Sequence, residues 1–240
     1  GYTERVPKQC PSCESKDIKG RGYGTEKIED EILNLFPDAR VARMDLYTTR
    51  TKNAYERLIS DFSAGKTNLL IGTQMVSKGL DFDRVSVVGI LDADNMLNYP
   101  DFRAYEHAFT MMAQVSGRAG RKGKQGRVIL QTKSPELPVI QQVVRHDNAA
   151  FYSSLLEERA AFRYPPFFHL IYIYLKHRND DTVNSASLEI GSRLREIFGD
   201  RVLGTDKPSV ARVKTLYIRK IILKLENGAD YKLAKQYLRT

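Results

Sequence analysis

The sequence contains no apolar run long enough to cross a membrane, and its start has no signal-peptide pattern, so neither a membrane span nor secretion is expected. It has no internal repeat and no low-complexity tract. The first residues, GYTERVPKQC, lack an initiator Met and read as loop, as expected of a piece of a longer protein. Only two cysteines occur, Cys10 and Cys13, in CPSC. A structural zinc site needs four ligands. No second pair is present, and the four histidines are isolated and far away in sequence. The flanks do not offer the βαβ setting of a thioredoxin-like redox motif. Two readings stand: half of a zinc site whose other half precedes Gly1, and a plain pair of reduced thiols. A cytosolic compartment fits both.

A phosphate-binding P-loop is also missing. Gly65-Lys66-Thr67 matches the end of G-x-x-x-x-G-K-[ST], but the position of the first glycine is Ser60. The loop must run from a strand into a helix, so that backbone N–H groups converge on phosphate. Here the order is reversed. NAYERLISDF places Tyr55, Leu58, Ile59 and Phe62 at helical spacing upstream, and NLLIG reads as a buried strand downstream. Gly65 is expected to end a helix. No DExH box is present either. VVGILDAD imitates a Walker B strand, with Asp92 and Asp94 as the apparent Mg²⁺ ligands.

What is present is a globular composition with a basic balance. Apolar residues make up 42% and charged residues 28%, enough for a packed core and too little charge for wholesale disorder. The formal net charge is +9, which suits a polyanionic partner. The excess is uneven: residues 1–150 hold 22 Lys+Arg against 19 Asp+Glu, and residues 151–240 hold 16 against 10. The second part is the better candidate for phosphate contacts that ignore sequence.

Strand and helix patterns alternate through the first part. Residues 18–22 read as a short strand. Thr25 reads as the N-cap of a helix with Ile28, Ile32, Leu33 and Leu35 on its apolar face, closed by Pro37. ARVARMD, NLLIGT, SVVGILDAD and GRVILQT read as strands, with helices over NAYERLISDF and FRAYEHAFTMMAQVSG between them. This βα alternation predicts a mostly parallel sheet covered on both faces. SPELPVIQQVVRH and NAAFYSSLLEERAAF read as helices leading away. Two prolines in YPPFF break the pattern. Beyond them, strand, helix, long strand and helix predict a small α+β domain. The expected boundaries are 1–17, 18–135 for an α/β lobe, 136–164 for a helical connector and 165–240.

Three stretches carry chemistry. In QVSGRAGRKGKQGRV, Arg118 and Arg121 share a helical face, with Gly117 and Gly120 keeping the backbone slim. Two guanidiniums there suit nucleotide phosphates, since Arg brings a fixed fork of donors and a permanent charge. A solvated basic turn is the competing reading. In LLIGTQMVSKGLDF a strand ends at Gly72-Thr73, and Lys78, Gly79 and Asp81 follow. Ligands gather beyond the carboxyl ends of parallel strands, so Thr73 is placed to donate to a phosphate and Asp81 to accept from a ribose hydroxyl. The competing reading makes Thr73 an N-cap and Asp81 a turn residue. In VKTLYIRKIILKL, strand alternation puts Lys214, Leu216, Ile218 and Lys220 on one face, and Tyr217, Arg219 and Ile221 on the other. Basic residues interleaved with an aromatic suit single-stranded nucleic acid. An amphipathic strand with a solvated basic face, or a receptor for an acidic peptide, fits equally well.

Q-x-x-G-R-A-G-R about forty residues after G-T-Q-M-x-x-K-G-x-D-F resembles motifs VI and V of a superfamily 2 helicase, in its second RecA-like lobe. GTEKIEDEI, RMDLYTTR, GTQMVSKGLDF, LDADNMLNYPDFRAYE, QVSGRAGR and YPPF follow in the order seen in the primosomal protein N′ (PriA) family of replication-restart helicases, over nearly the whole chain. The resemblance implies an α/β, RecA-like lobe 2 followed by a small α+β domain, with residues 1–17 ending a zinc-binding insertion. It implies an ATP-dependent 3′-to-5′ DNA helicase that recognises stalled forks and assembles the primosome in the bacterial cytoplasm, at the nucleoid. By that match Arg118 and Arg121 approach the γ-phosphate of Mg²⁺-bound ATP, supported by Gln114. Gly79 and Asp81 approach the nucleotide sugar, and Thr73 the DNA backbone. Cys10 and Cys13 match the last ligand pair of the zinc insertion. The final domain is expected to contact forked and single-stranded DNA, through Lys214, Tyr217, Arg219 and Lys220, and the single-strand-binding protein. One departure is visible: Tyr47 stands where the family usually has an acidic residue. The first lobe, with its P-loop, is absent from these residues, so the 240-residue chain alone is expected to be inactive. Another superfamily 2 translocase, or a docking module without catalysis, are the alternatives.

Overall fold

The computed structural model describes residues 7–16, 24–73, 85–117, 119–120 and 126–238. They form two compact units, Gln9–Asn148 and Ala149–Thr240 with Gly1–Lys8. The division falls inside the expected connector. The strand expected over residues 18–22 lies outside the described residues.

The first unit alternates helix and strand: α1 (Thr25–Leu35), β1 (Val41–Met44), α2 (Lys52–Ser63), β2 (Leu69–Gly72), β3 (Val87–Ile90), α3 (Ala93–Leu97), α4 (Ala104–Ser116), β4 (Arg127–Leu130) and α5 (Pro138–Val144). β1 pairs with β2 and β3 with β4, both in parallel, with Met44 opposite Gly72 and Ile90 opposite Leu130. Successive side chains of a strand point to opposite faces. Met44, fully buried, packs against Tyr55, Leu58, Ile59 and Phe62 of α2. Its neighbour Arg43 reaches Glu26 and Glu29 of α1. The two helices therefore lie on opposite faces of β1, so this parallel pair is covered as the pattern predicts; among the described residues, however, the four strands form two two-stranded sheets and not one continuous sheet.

Two local expectations need correction or refinement. Thr25 is the first helical residue of α1 and not its cap; the N-cap is Gly24, and the Thr25 hydroxyl donates to Asp45 Oδ2 at 2.8 Å. Thr51, by contrast, does cap α2, accepting from the Ala54 N–H. Gly65 takes φ +75° just past α2, a left-handed conformation that strains any side chain. The Gly65 and Lys66 carbonyls accept from the Arg40 guanidinium at 3.1 and 2.7 Å, and Lys66 pairs with Asp61 at 2.8 Å. Gly-Lys-Thr is here a helix-ending turn: its carbonyls accept from Arg40, and the Gly65, Lys66 and Thr67 N–H groups donate back to the Phe62 and Asp61 carbonyls, so no amide is left for a phosphate.

The second unit contains α6 (Asn148–Ala161), β5 (Phe168–His177), α7 (Asp180–Phe198), a 3-10 turn at Gly199–Arg201, β6 (Val202–Asp206), β7 (Arg212–Val213), β8 (Leu216–Glu226) and α8 (Tyr231–Tyr237). The strands form one antiparallel sheet in the order β5-β8-β6, with β7 also pairing to β8. Asn179 caps α7 by accepting from the Thr182 N–H at 2.8 Å, and Asp180 and Asp181 favour its first turn. One sheet face carries Ile171, Ile173, Leu175, Ile221, Leu223 and Leu225, packed with Leu194 of α7 and Ala234 of α8. Ile221 and Leu223 are fully buried, each worth about 1.5–3 kcal/mol of transfer free energy. The sequence pattern does not reveal β6. Its register shifts between Leu203 and Asp206, and Gly204 sits there at φ +90°, so no clean alternation exists to read.

Candidate nucleotide and nucleic-acid site

Because Met44 and Gly72 are paired, Asp45 and Thr73 emerge side by side beyond the carboxyl ends of β1 and β2. Thr73 is exposed. Asp45 is buried and organises the loop that follows. Its Oδ1 accepts from the Tyr47 and Thr48 N–H groups, both at 2.9 Å, and its carbonyl accepts from the Thr49 hydroxyl at 2.5 Å. Arg43 Nε lies 2.7 Å from Asp45 Oδ2 as an ion pair, with its N–H not aimed for a hydrogen bond. The Thr48 N–H, then the Thr25 hydroxyl, the Tyr47 N–H and the Arg43 charge, hold the Asp45 carboxyl down at about 2, against the upward push of burial. A carboxylate so placed is a fixture of the loop, not an acid or base. The loop presents Leu46 and Tyr47 to solvent, with the Arg50 guanidinium 5.2 Å from the Tyr47 ring centre.

The end of α4 carries the other predicted segment. Gln114 is exposed on its last turn. Beyond the helix, the Gly120 N–H donates to the Val85 carbonyl at 3.0 Å, and the Arg127 N–H donates to the Ser86 carbonyl at 2.9 Å. A Cβ on Gly126 would come within 2.2 Å of the Gly120 nitrogen, so the chain returns against its own backbone here and only glycine fits. Gly79, Asp81, Arg118 and Arg121 lie outside the described residues. Their described flanks nevertheless meet: Val85 follows the segment holding Gly79 and Asp81, and Gly120 sits between Arg118 and Arg121. Gly126 and Asp45 are site-shaping residues that sequence reasoning did not single out. The RMDLYTTR motif contained the signal for Asp45, whereas Gly126 shows itself only through packing.

Asp92 and Asp94 do not form an open carboxylate pair. Asp94 accepts from the Thr132 hydroxyl and the Lys133 N–H, both at 2.9 Å. The Lys133 N–H leads the effects that pull its carboxyl below the usual range. Asp92 sits at φ +50° ahead of α3. The Asp94 carboxylate, with the Asp92 N–H donating to the Gln131 side chain, ties α3 to the residues that follow β4.

Cys10 and Cys13 flank a tight turn in which the Cys10 N–H donates to the Ser15 carbonyl and the Glu14 N–H to the Cys10 carbonyl. Backbone N–H groups of Cys13 and Ser12 aim at the Cys10 sulfur and draw its thiol below the ordinary value. Stabilised thiolate is what a metal needs, so the turn fits half of a zinc site. Among the described residues no group of three or more His, Cys, Asp and Glu is arranged to hold a metal ion.

The four basic or aromatic residues expected at a nucleic-acid face do not share one. Lys214 is not in a strand; it is exposed at φ +53° in the turn joining β7 to β8. Tyr217 is half-buried, with the Arg212 guanidinium 4.7 Å from its ring centre. Arg219 is buried, donating to Asp180 Oδ1 at 2.7 Å and Asn184 Oδ1 at 3.1 Å of α7. It belongs to the core side of the sheet, where a guanidinium needs its carboxylate partner. Lys220 points to the other face, its ammonium 5.5 Å from the Tyr172 ring centre.

Residues 22–123 match the helicase conserved C-terminal domain. The replication restart protein PriA of Bacillus subtilis is 40% identical over 226 residues, which is 93% of this chain and 28% of that protein. The chain belongs to the PriA family. PriA of Synechocystis is 37% identical over 225 residues, again 93% of this chain and 27% of the relative. The chain thus spans little more than a quarter of the length of these two relatives. Among solved structures, the C-terminal domain of the DEAD-box protein Dbp5 aligns with 57% of this chain and 76% of its own length, at 18% identity and a TM-score of 0.36. Among the described residues no helix is long and apolar enough to cross a membrane.

Proposed function

We propose that this chain is the arginine-bearing lobe and DNA-contacting domain of an ATP-dependent 3′-to-5′ DNA helicase that restarts replication at stalled forks. The observation that carries this is the Gly120–Val85 hydrogen bond, which joins the flanks of the two segments holding Arg118, Arg121, Gly79 and Asp81. In this reading the two arginines bind and orient the ATP γ-phosphate, with a permanent charge that stabilises charge developing during transfer. Gln114, exposed at the end of α4, holds the same end of the site. Gly79 and Asp81 hold the nucleotide sugar. Bound Mg²⁺ neutralises phosphate charge, and its ligands, like the P-loop, come from the other lobe. Thr73, beyond β2, donates to a DNA phosphate. Cys10 and Cys13 supply two thiolates of a structural zinc site that other residues of the protein complete. Single-strand-binding protein and other primosome proteins are its partners, in the bacterial cytoplasm at the nucleoid.

The chain carries half of the ATP site, so it binds DNA without turning over ATP. Its affinity for forked and single-stranded DNA should fall steeply with salt, since phosphate contacts release counterions. DNA-stimulated ATP hydrolysis by the purified 240 residues, or DNA affinity independent of salt, overturns this reading.

A further inference from the structure

The sheet of the second unit has a face that the proposed function does not use. Opposite residues of paired antiparallel strands point the same way. The register therefore sets Tyr172 beside Ile222, Tyr174 beside Lys220 and Lys176 beside Ile218, away from the α7 core. Leu203 of β6 joins Ile222 on this side. Tyr172, Tyr174 and Leu203, on the two strands that flank β8, are 42%, 52% and 43% exposed, a group of large side chains left open on one sheet face. The two tyrosine rings lie 6.3 Å apart at 34°, and the Lys220 ammonium stands over Tyr172. One end of the face is closed, where Lys224 donates to the Phe162 carbonyl and lies over Tyr164. Lys176 is exposed at the other end. Asp206, opposite Lys220 in register, is the acidic residue beside them.

We infer that this face is a stacking platform for single-stranded DNA, with bases on Tyr172 and Tyr174 and phosphates on Lys220 and Lys176. The inference rests on the DNA-binding reading above and gives it different residues from those the sequence pattern picked out. Flat rings accept any base, and flanking ammonium groups take the backbone. The basic excess of residues 151–240, 16 Lys+Arg against 10 Asp+Glu, favours a polyanion over a neutral apolar peptide. Exposed rings of this kind take unstacked bases, which a paired and stacked duplex does not offer, so duplex DNA should gain nothing from them.

The test uses the 240-residue chain, with fluorescence anisotropy of labelled (dT)20 and of a 20-base-pair duplex between about 50 and 200 mM salt. Replacing both tyrosines with alanine should weaken (dT)20 binding about tenfold or more and leave duplex binding and the salt slope unchanged. Replacing both with phenylalanine should keep (dT)20 binding within about threefold, which separates stacking from a folding defect. Lys220→Ala should lower the salt slope for (dT)20 by about 0.7. Wild-type affinity for (dT)20 in the alanine pair overturns the platform and leaves the DNA-binding reading standing. Failure of the wild-type chain to bind either DNA overturns both. Concentration-dependent dimerisation that the alanine pair abolishes, without a change in DNA affinity, makes the face a self-interface and also overturns the inference.

Discussion

Replacing Asp45 with Asn tests whether the loop after β1 is held by charge. Asp45 is only 8% exposed, and its carboxyl is held at about 2 against an ordinary 3.8. A folded-state pKa below the unfolded one stabilises the fold above the unfolded value, and this stability is lost as pH falls through the folded value. The shift corresponds to about 2.4 kcal/mol at pH 7, about half of that at pH 3, and little below pH 2. Asn keeps an oxygen for the Tyr47 and Thr48 N–H groups but removes the charge that these donors and Arg43 favour. The variant should therefore lose about 2 kcal/mol at pH 7 and about half as much at pH 3. The assay is a urea titration read through the NMR amide signals of β1 and β2, which report the first unit separately from the second. A loss below about 0.5 kcal/mol at pH 7, or an equal loss at both pH values, would refute the assignment.

Three further substitutions probe other parts of the account. Arg219→Ala should destabilise the second unit by about 1–3 kcal/mol, because it removes a buried guanidinium bonded to Asp180 and Asn184, leaving Asp180 only its ion pair with Lys207 at 3.7 Å; a urea titration read on β8 amides checks this, and a neutral result would return Arg219 to the surface. Gly126→Ala should cost the first unit about 1–3 kcal/mol by forcing Ala119 and Gly120 away, and hydrogen exchange at the Gly120 amide should speed up with it. Asn179→Ala should lower the stability of the second unit by about 1 kcal/mol through the lost cap of α7, and Asn179→Asp should restore most of it in thermal melts.

The elements were legible where apolar periodicity is strong. The runs VARM, LLIG, VVGI and RVIL are strands, and the long helices fall where their patterns put them, although of the apolar face expected on α1 only Ile28 and Ile32 are half-buried while Leu33 and Leu35 are exposed. The reading of Gly65-Lys66-Thr67 as a turn followed from element order alone. What could not be read was which side of a strand receives cover. Arg219 looked like one more cation on a basic strand, but its partners Asp180 and Asn184 come 39 and 35 residues earlier, on α7. Lys214 looked continuous with β8, because a two-residue turn interrupts the alternation without breaking it. Tyr172 and Tyr174 passed as ordinary strand formers, and only the sheet register shows them beside Lys220. The close approach at Gly126 is likewise a tertiary fact. The motif segments were legible as a pattern, and the structure adds the hydrogen bond between their described flanks.

The most direct test of the account is DNA-stimulated ATP hydrolysis by the full-length protein carrying Arg118→Ala or Arg121→Ala. Each substitution should lower kcat by about a hundredfold or more while ATP-independent DNA binding stays within a fewfold of wild type. Wild-type turnover by both variants would contradict the placement of these arginines at the ATP site.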